Sequence, residues 1–493
     1  MSSVPTAAQQ SEDRRTFVNF GGNLTWHAGC YRPRNEDEVL QILARHRSEQ
    51  IRVIGSLHSW SDLGVTRGVT LDMSNFDAVE FGGEDGKARV RVGAGCTLAA
   101  LLDCLHATTN RTIPTLGVIK RQTLSGLIST ATHGSGKPSV SHFVTALRIA
   151  AFDSHGMPKI FEDCGGDELR AARCGLGCMG VILSIELRTV PKFRVRETVL
   201  RLDRIADALC LYEDHPLTQF ALVPHSWKIV AWEREALAGT GIAAPKTWLF
   251  RAFNVVGIDI GFHLLLKASL VLGDWAVRTL MKALPYLLIA DVPRVDDAEH
   301  VLTQLHYLFR HEEMELFVPE SAVADAAALL QCAIGVFAGD ATSIPIDAER
   351  RLRAAGLYDE LMQGRGTYLH HYPMLFRRIL PDDTLISMAS ASREPWFSFS
   401  LFTYDPPQDR RNFYGVCSWV ARAMHALFGA RLHWGKHYPL GAPETARMYP
   451  NLEKLRQICR ARDPAGVFCN EFTARVLELR SAYRNRSNGA SCS

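Results

Sequence analysis

The sequence predicts a mixed α+β fold of at least two packed units, on three observations. With 493 residues, 47% of them apolar, the chain exceeds the size at which one hydrophobic core stops growing. Helical and strand periodicities alternate up to Pro191, and a second alternating stretch runs from there to about residue 430.

In Asn35 to Arg47 the apolar positions Val39, Leu40, Ile42 and Leu43 recur with helical period. Ile51 to Ile54 then reads as a short buried strand running into Gly55. Val69 to Met73 and Ala88 to Gly95 alternate as strands do, and Thr97 to His106 reads as a helix. Val144 to Phe152 and Gly180 to Val190 are two further strands, which close a first unit, 16–190. A lid-like second unit spans 191–430, with a mobile tip expected at Ala236 to Pro245, where Ala and Gly dominate. A C-terminal segment, 431–480, ends in a helix, and the polar ends 1–15 and 481–493 are expected to be loose tails.

Composition narrows the class. The 55 basic and 52 acidic residues leave +3 at pH 7 without a block of like charge, which argues against nucleic acid as partner. Twelve cysteines are scattered without metal spacing, so no metal site is expected. Cys174 and Cys178 read as packing, and a reducing, cytoplasmic setting is expected. The start of the chain shows neither a secretory nor a lipidation signal. Trp248 to Val292 is strongly apolar, but Arg251, Asp259, His263, Lys267, Asp274, Arg278 and Lys282 interrupt it. The charges recur at helical spacing, so packed helices are expected ahead of a membrane-associating hairpin, with peripheral membrane contact as the alternative.

Three glycine clusters carry the chemistry. Gly55-Ser-Leu-His-Ser59 follows a strand, and successive backbone N–H groups in such a turn can cradle a pyrophosphate. Alone, His58 would be an ordinary turn histidine. Gln122 to Gly136 is rich in hydroxyls (Ser129, Thr130, Thr132) and glycines (126, 134, 136), too poor in apolar bulk for a core strand and suited to close approach of a large ligand. Gly175-Leu-Gly-Cys-Met-Gly180 precedes a strand and could equally be a helix cap and turn.

These clusters in this order, followed by His433-Trp-Gly-Lys436 and Asp463-Pro-Ala-Gly-Val-Phe-Cys-Asn470, resemble the aldonolactone oxidase and alditol oxidase branch of the vanillyl-alcohol oxidase type of FAD-linked oxidases. The resemblance runs from about residue 25 to 480. It implies a two-part FAD-binding domain with an α+β cap, and FAD bonded through its 8α carbon to the histidine of the GSxHS loop, here His58. Further flavin contacts are implied at Ile54, Gly55, Ser56, Leu57, Ser59, Thr123, Gly126, Ser129, Thr132, His133, Gly134, Gly177, Gly180, Val181, Ile182 and His433. Lys436 is similar to a lysine facing the reacting carbon, and Arg377 to an arginine beside the substrate. A cation there favours a developing alkoxide; without the resemblance either residue would read as an ordinary ion pair. Gly117 matches a position that is glycine in members using O₂, and its missing side chain leaves a path for the gas.

Two departures bear on the substrate. Leu375 stands where the family usually has glutamate, and Leu401, two before Thr403, where polyol oxidases have histidine. A buried sugar hydroxyl left unpaired costs roughly 1 to 3 kcal/mol, so a less polar alcohol rivals a sugar lactone, with Glu315 able to restore some polarity. The sequence thus reads as an FAD-dependent alcohol oxidase releasing H₂O₂. A dehydrogenase passing electrons to a quinone or cytochrome, and a non-catalytic flavin scaffold, are the alternatives.

Overall fold

The computed structural model describes residues 13–82, 88–117, 119–239, 251–303 and 310–481. Most of the expected tails and tip, Val118, and Trp248 to Phe250 lie outside these residues. Where the expected loose segments are described, they are paired. Asp13 to Arg15 stand opposite Cys30 to Ala28 in the strand pair Asp13–Val18 and Thr25–Tyr31, and Ala236 to Ala238 stand opposite Val195 to Phe193. Ladder hydrogen bonds override a composition that reads as flexible.

Among the described residues three large sheets organise the chain, beside a two-stranded pair of Arg111–Thr112 and Val190–Pro191. A four-stranded sheet has the order Asp13–Val18, Thr25–Tyr31, Val69–Asp72, Ile51–Ile54, the last three parallel. The helix Glu36–Arg45 connects two of its strands. Asn35 caps it by accepting from the Glu38 N–H, acidic residues fill its first turn, and Val39, Ile42 and Leu43 are its buried stripe. An antiparallel five-stranded sheet follows, ordered Val79–Gly82, Arg89–Gly93, Val181–Arg188, Val144–Phe152, Pro158–Asp163. The helices Leu98–Thr108 and Leu124–Ser129 are capped by the hydroxyls of Thr97 and Thr123.

The third sheet is antiparallel and eight-stranded: Arg294–Asp297, Phe193–Leu202, Ile229–Ala238, Gln219–Leu222, Met374–Ile379, Trp396–Thr403, Glu312–Pro319, Arg431–Leu432. One face joins the main core, where Phe376 stacks on Phe220 and meets Phe399 at a tilt. The other face is partly roofed by a helical hairpin, His263–Leu272 and Asp274–Leu287, turned at Gly273 with φ of 98°. Leu266, Val277, Met281 and Leu284 from the hairpin meet Val223, Val230, Phe402 and Tyr404 from the sheet side in a separate apolar cluster. Within the apolar stretch, His263 to Leu287 is thus helical, with its inner stripe buried. After the last strand the chain returns to the first unit through the helices Ala442–Met448, Leu452–Arg462 and Glu471–Leu477. The described cysteines are free thiols.

Candidate active site

A cavity of about 530 Å³ runs from the loop after Ile51–Ile54, past the glycine clusters, to the roofed face of the eight-stranded sheet. Its first end is built from backbone. Gly55 is required by close approach, because a Cβ there would lie 2.2 Å from Thr123 Oγ1. Leu57 takes a positive φ of 57°, which turns the loop so that His58 stacks on Phe20 at 4.6 Å. His58 Nδ1 is buried at the cavity wall and has no hydrogen-bond partner among the described residues. Burial, reinforced by the charges of Lys436 and Arg121, pushes the imidazole down to about 4, so it is neutral at neutral pH.

The loop is tied to the distant His433-Trp-Gly-Lys436 segment. The Trp60 N–H donates to the Gly435 carbonyl (2.8 Å), Ser59 Oγ to the same oxygen (3.2 Å) and Ser61 Oγ to the Trp434 carbonyl (2.6 Å). On the opposite wall the Arg52 guanidinium donates to the carbonyls of Leu63, Phe468 and Leu176, holding three loops around one groove. Gly180, with φ of 120°, is a second position only glycine can fill, since a Cβ would meet the Ala150 carbonyl at 2.4 Å. The 463–470 segment braces the loops of this end without lining the cavity. Asp463 accepts from the Val467 and Phe468 N–H groups, and Asn470 donates to the carbonyls of Asp62 and Val65.

The second end is built from side chains. Glu313 and Glu315 alternate onto the cavity face of Glu312–Pro319. Arg377 donates to Glu315 at 2.6 Å, and His133 Nε2 lies 3.3 Å from the same carboxylate. Burial alone would raise Glu315, but Arg377 and His133 hold it well below the usual carboxylate range. His433 Nδ1 accepts from the Gly435 N–H at 3.0 Å, which leaves the proton of its neutral ring on Nε2. Burial, with Lys436 among the nearby cations, keeps its pKa well below the ordinary histidine value. Lys436 is ion-paired to Glu313, and its ammonium sits 4.2 Å from the Trp60 ring centre. The surrounding walls are Val223, Val230, Trp232, Phe262, Leu284, Leu375 and Phe402.

Most residues expected at the site line this cavity: Ile54 to Ser59, Thr123, Gly126, Ser129, Thr132, His133, Gly177, Gly180, Ile182, Glu315, Leu375, Arg377, His433 and Lys436. Five do not. Leu401 and Thr403 face the other side of Trp396–Thr403; Leu401 stands opposite Met314 in the main core, and Thr403 bonds Asp405. Their neighbours Phe402 and Tyr404 are the ones on the cavity, because alternation makes an offset of one residue a change of face. Val181 is likewise in the core while Ile182 lines the cavity. Gly134 borders a smaller neighbouring cleft. Gly117 lies one layer back, where a Cβ would come 2.9 Å from Thr132 Cγ2. Glu313, Trp60 and Tyr372, which the sequence reading did not single out, line the cavity. Of these only Glu313 had a signal, its two-residue spacing from Glu315.

A groove edged by glycine turns, an orphaned buried imidazole nitrogen and hydroxyls at Ser129 and Thr132 fits FAD. Two family models match the chain: D-arabinono-1,4-lactone oxidase over residues 185–476 and an FAD binding domain over residues 28–154. Among curated proteins the chain is 37% identical to a long-chain alcohol oxidase of an uncultured marine euryarchaeote, across 93% of this chain and 96% of that protein. It is 24% identical to L-gulonolactone oxidase of Mus musculus, across 91% and 94%. Among solved structures, cholesterol oxidase from B. sterolicum superposes with a TM-score of 0.69 at 13% identity, covering 97% of this chain and all of that one. That likeness is one of fold.

Proposed function

The chain belongs to the D-arabinono-1,4-lactone oxidase family of FAD-linked oxidases, and from that premise we propose that it oxidises long-chain, apolar alcohols with O₂ on covalently held FAD. The observation that carries the substrate class is the second end of the cavity. Its carboxylates and cations are already matched to one another, Glu315 with Arg377 and Glu313 with Lys436, and the walls around them are mainly apolar, with Gln219, Arg234, His311, Tyr372 and Tyr404 as the polar exceptions. A chain of sugar hydroxyls would find few partners there, whereas each methylene buried contributes about 0.8 kcal/mol.

FAD, when bound, supplies two-electron acceptance and reoxidation by O₂ to H₂O₂. The groove between Gly55, Ser129 and Gly177 would hold it, and His58 is the residue assigned to the covalent link, its imidazole neutral and its Nδ1 uncommitted. The apolar walls orient the alcohol chain and exclude water from its hydroxyl end. Lys436 and Arg377 place positive charge beside the hydroxyl end of the alcohol, where it favours negative charge building on that oxygen. Glu313 and Glu315 fix those cations in position. The choice of O₂ rests on the oxidases among the chain's relatives.

The test is peroxide release across primary alcohols of increasing chain length, aldonolactones and alditols. The expected outcome is kcat/KM rising with chain length and exceeding that for any lactone; a better lactone would overturn the substrate class. Acid precipitation separately tests the link. The pellet should stay yellow for the natural chain and turn colourless for His58→Ala.

A further inference from the structure

The hairpin that roofs the cavity is apolar on both sides. Its inner stripe is buried, yet its outward face carries Val271 (88% exposed), Trp275 (65%), Tyr286 (64%), Leu264 and Leu272. Among the described residues, the exposed large apolar ones other than Ile346, Met157 and Val18 all lie on the hairpin or, as Val256, Ile289 and Val292 do, within a few residues of its ends. A concentration of this kind on one element marks an interaction surface. The cavity comes out on the same face, for Leu265 and Leu287 both line it and are each 52% exposed.

We propose that the outer face of His263–Leu287 lies in the surface of a phospholipid bilayer, so that the mouth between Leu265 and Leu287 opens into lipid. Lateral entry of the substrate rests on the reading of an apolar alcohol given above, because such molecules partition into membranes; the docking itself does not. Three features favour lipid over a protein partner. Lys267 and Lys282 stand exposed on this face, where their stems can lie along apolar surface and their ammonium groups reach phosphates. Trp275 and Tyr286 offer amphipathic rings of the kind found at headgroup depth. A second copy or another protein seated here would seal the mouth. The contact is peripheral: the one described helix long and apolar enough to cross a bilayer, Glu320–Phe337, belongs mainly to the core.

The experiment is flotation of the flavin-loaded protein with vesicles of phosphatidylcholine and phosphatidylglycerol, at low and high salt. The variant combines Val271→Ser, Leu272→Ser and Trp275→Ser, none of which lines the cavity; Ile346→Ser, also exposed but remote in sequence from the hairpin, is the control. The natural chain and the control should float at both salt concentrations, and the triple variant should partition roughly tenfold less or weaker, with unchanged peroxide release from a short, water-soluble alcohol. Release from dodecanol presented in the vesicles should fall with the partition. No flotation of the natural chain, release by salt alone, or equal flotation of the triple variant would overturn the proposal. So would a dimer that the triple variant turns into a monomer without any vesicle binding. If flotation follows the prediction but neither protein oxidises any alcohol, the docking stands and the substrate reading falls.

Discussion

The two ends of the cavity are made differently. At the flavin end, short loops present backbone and small side chains, and positions such as Gly55 and Gly180 are set by distances a Cβ would violate. At the substrate end, strands of the eight-stranded sheet and one helical hairpin contribute single side chains from segments far apart in sequence. The first construction tolerates little variation, because its requirement is on the main chain. The second changes specificity through one residue at a time, provided that residue is on the cavity face.

The largest effect expected is at the paired cations. Lys436→Met should lower kcat by about 10²- to 10³-fold with the flavin still bound, read by peroxide release at saturating alcohol and by the absorbance of the protein. A loss of less than tenfold would place charge stabilisation elsewhere. Next, Leu401→His puts a polar ring into the main core instead of the cavity, and should cost about 2 to 4 kcal/mol of stability. It should lower the Tm while leaving KM for the alcohol unchanged; a changed substrate preference would show that the sheet register differs.

A third substitution acts on the cavity face. Leu375→Glu places a carboxylate on the cavity wall, and should lower kcat/KM for a long-chain alcohol about tenfold, consistent with 1 to 3 kcal/mol for an unmatched polar group. The ratio of lactone to alcohol activity should rise, and an unchanged ratio would separate Leu375 from specificity.

The smallest effect is a pH dependence at the flavin end. Folding lowers His58 from 6.5 to about 4, so between these values the unfolded chain binds a proton that the folded chain refuses. This contribution to stability is present above pH 6.5 and is lost as pH falls towards 4. In flavin-free protein, replacing His58 by Gln should remove it, so the Tm difference between the two proteins should shift by a few degrees across that window and stay flat above it. A flat difference throughout would mean that the imidazole is not desolvated.

Legibility followed the same division. The strands Ile51–Ile54 and Val144–Phe152 have the bounds that alternation and the following glycine imply, and the three glycine clusters meet around one groove. At the substrate end, Leu375, Arg377 and Glu315 are on the cavity, but Leu401 and Thr403 are one residue out of phase with it. Strand Asp13–Val18 was hidden in a polar stretch that pairs through its main chain.

What the sequence determined by itself is the cofactor and its cradle. Glycines, hydroxyls and one histidine at short spacing state a local conformational demand that no distant residue has to complete. Only the tertiary structure decided which side chains the substrate meets, that Lys436 is held by Glu313 and Arg377 by Glu315, and that an apolar hairpin both roofs the cavity and faces outward. Those features depend on strand register and on packing between segments hundreds of residues apart, and neither is written in any one stretch of the chain.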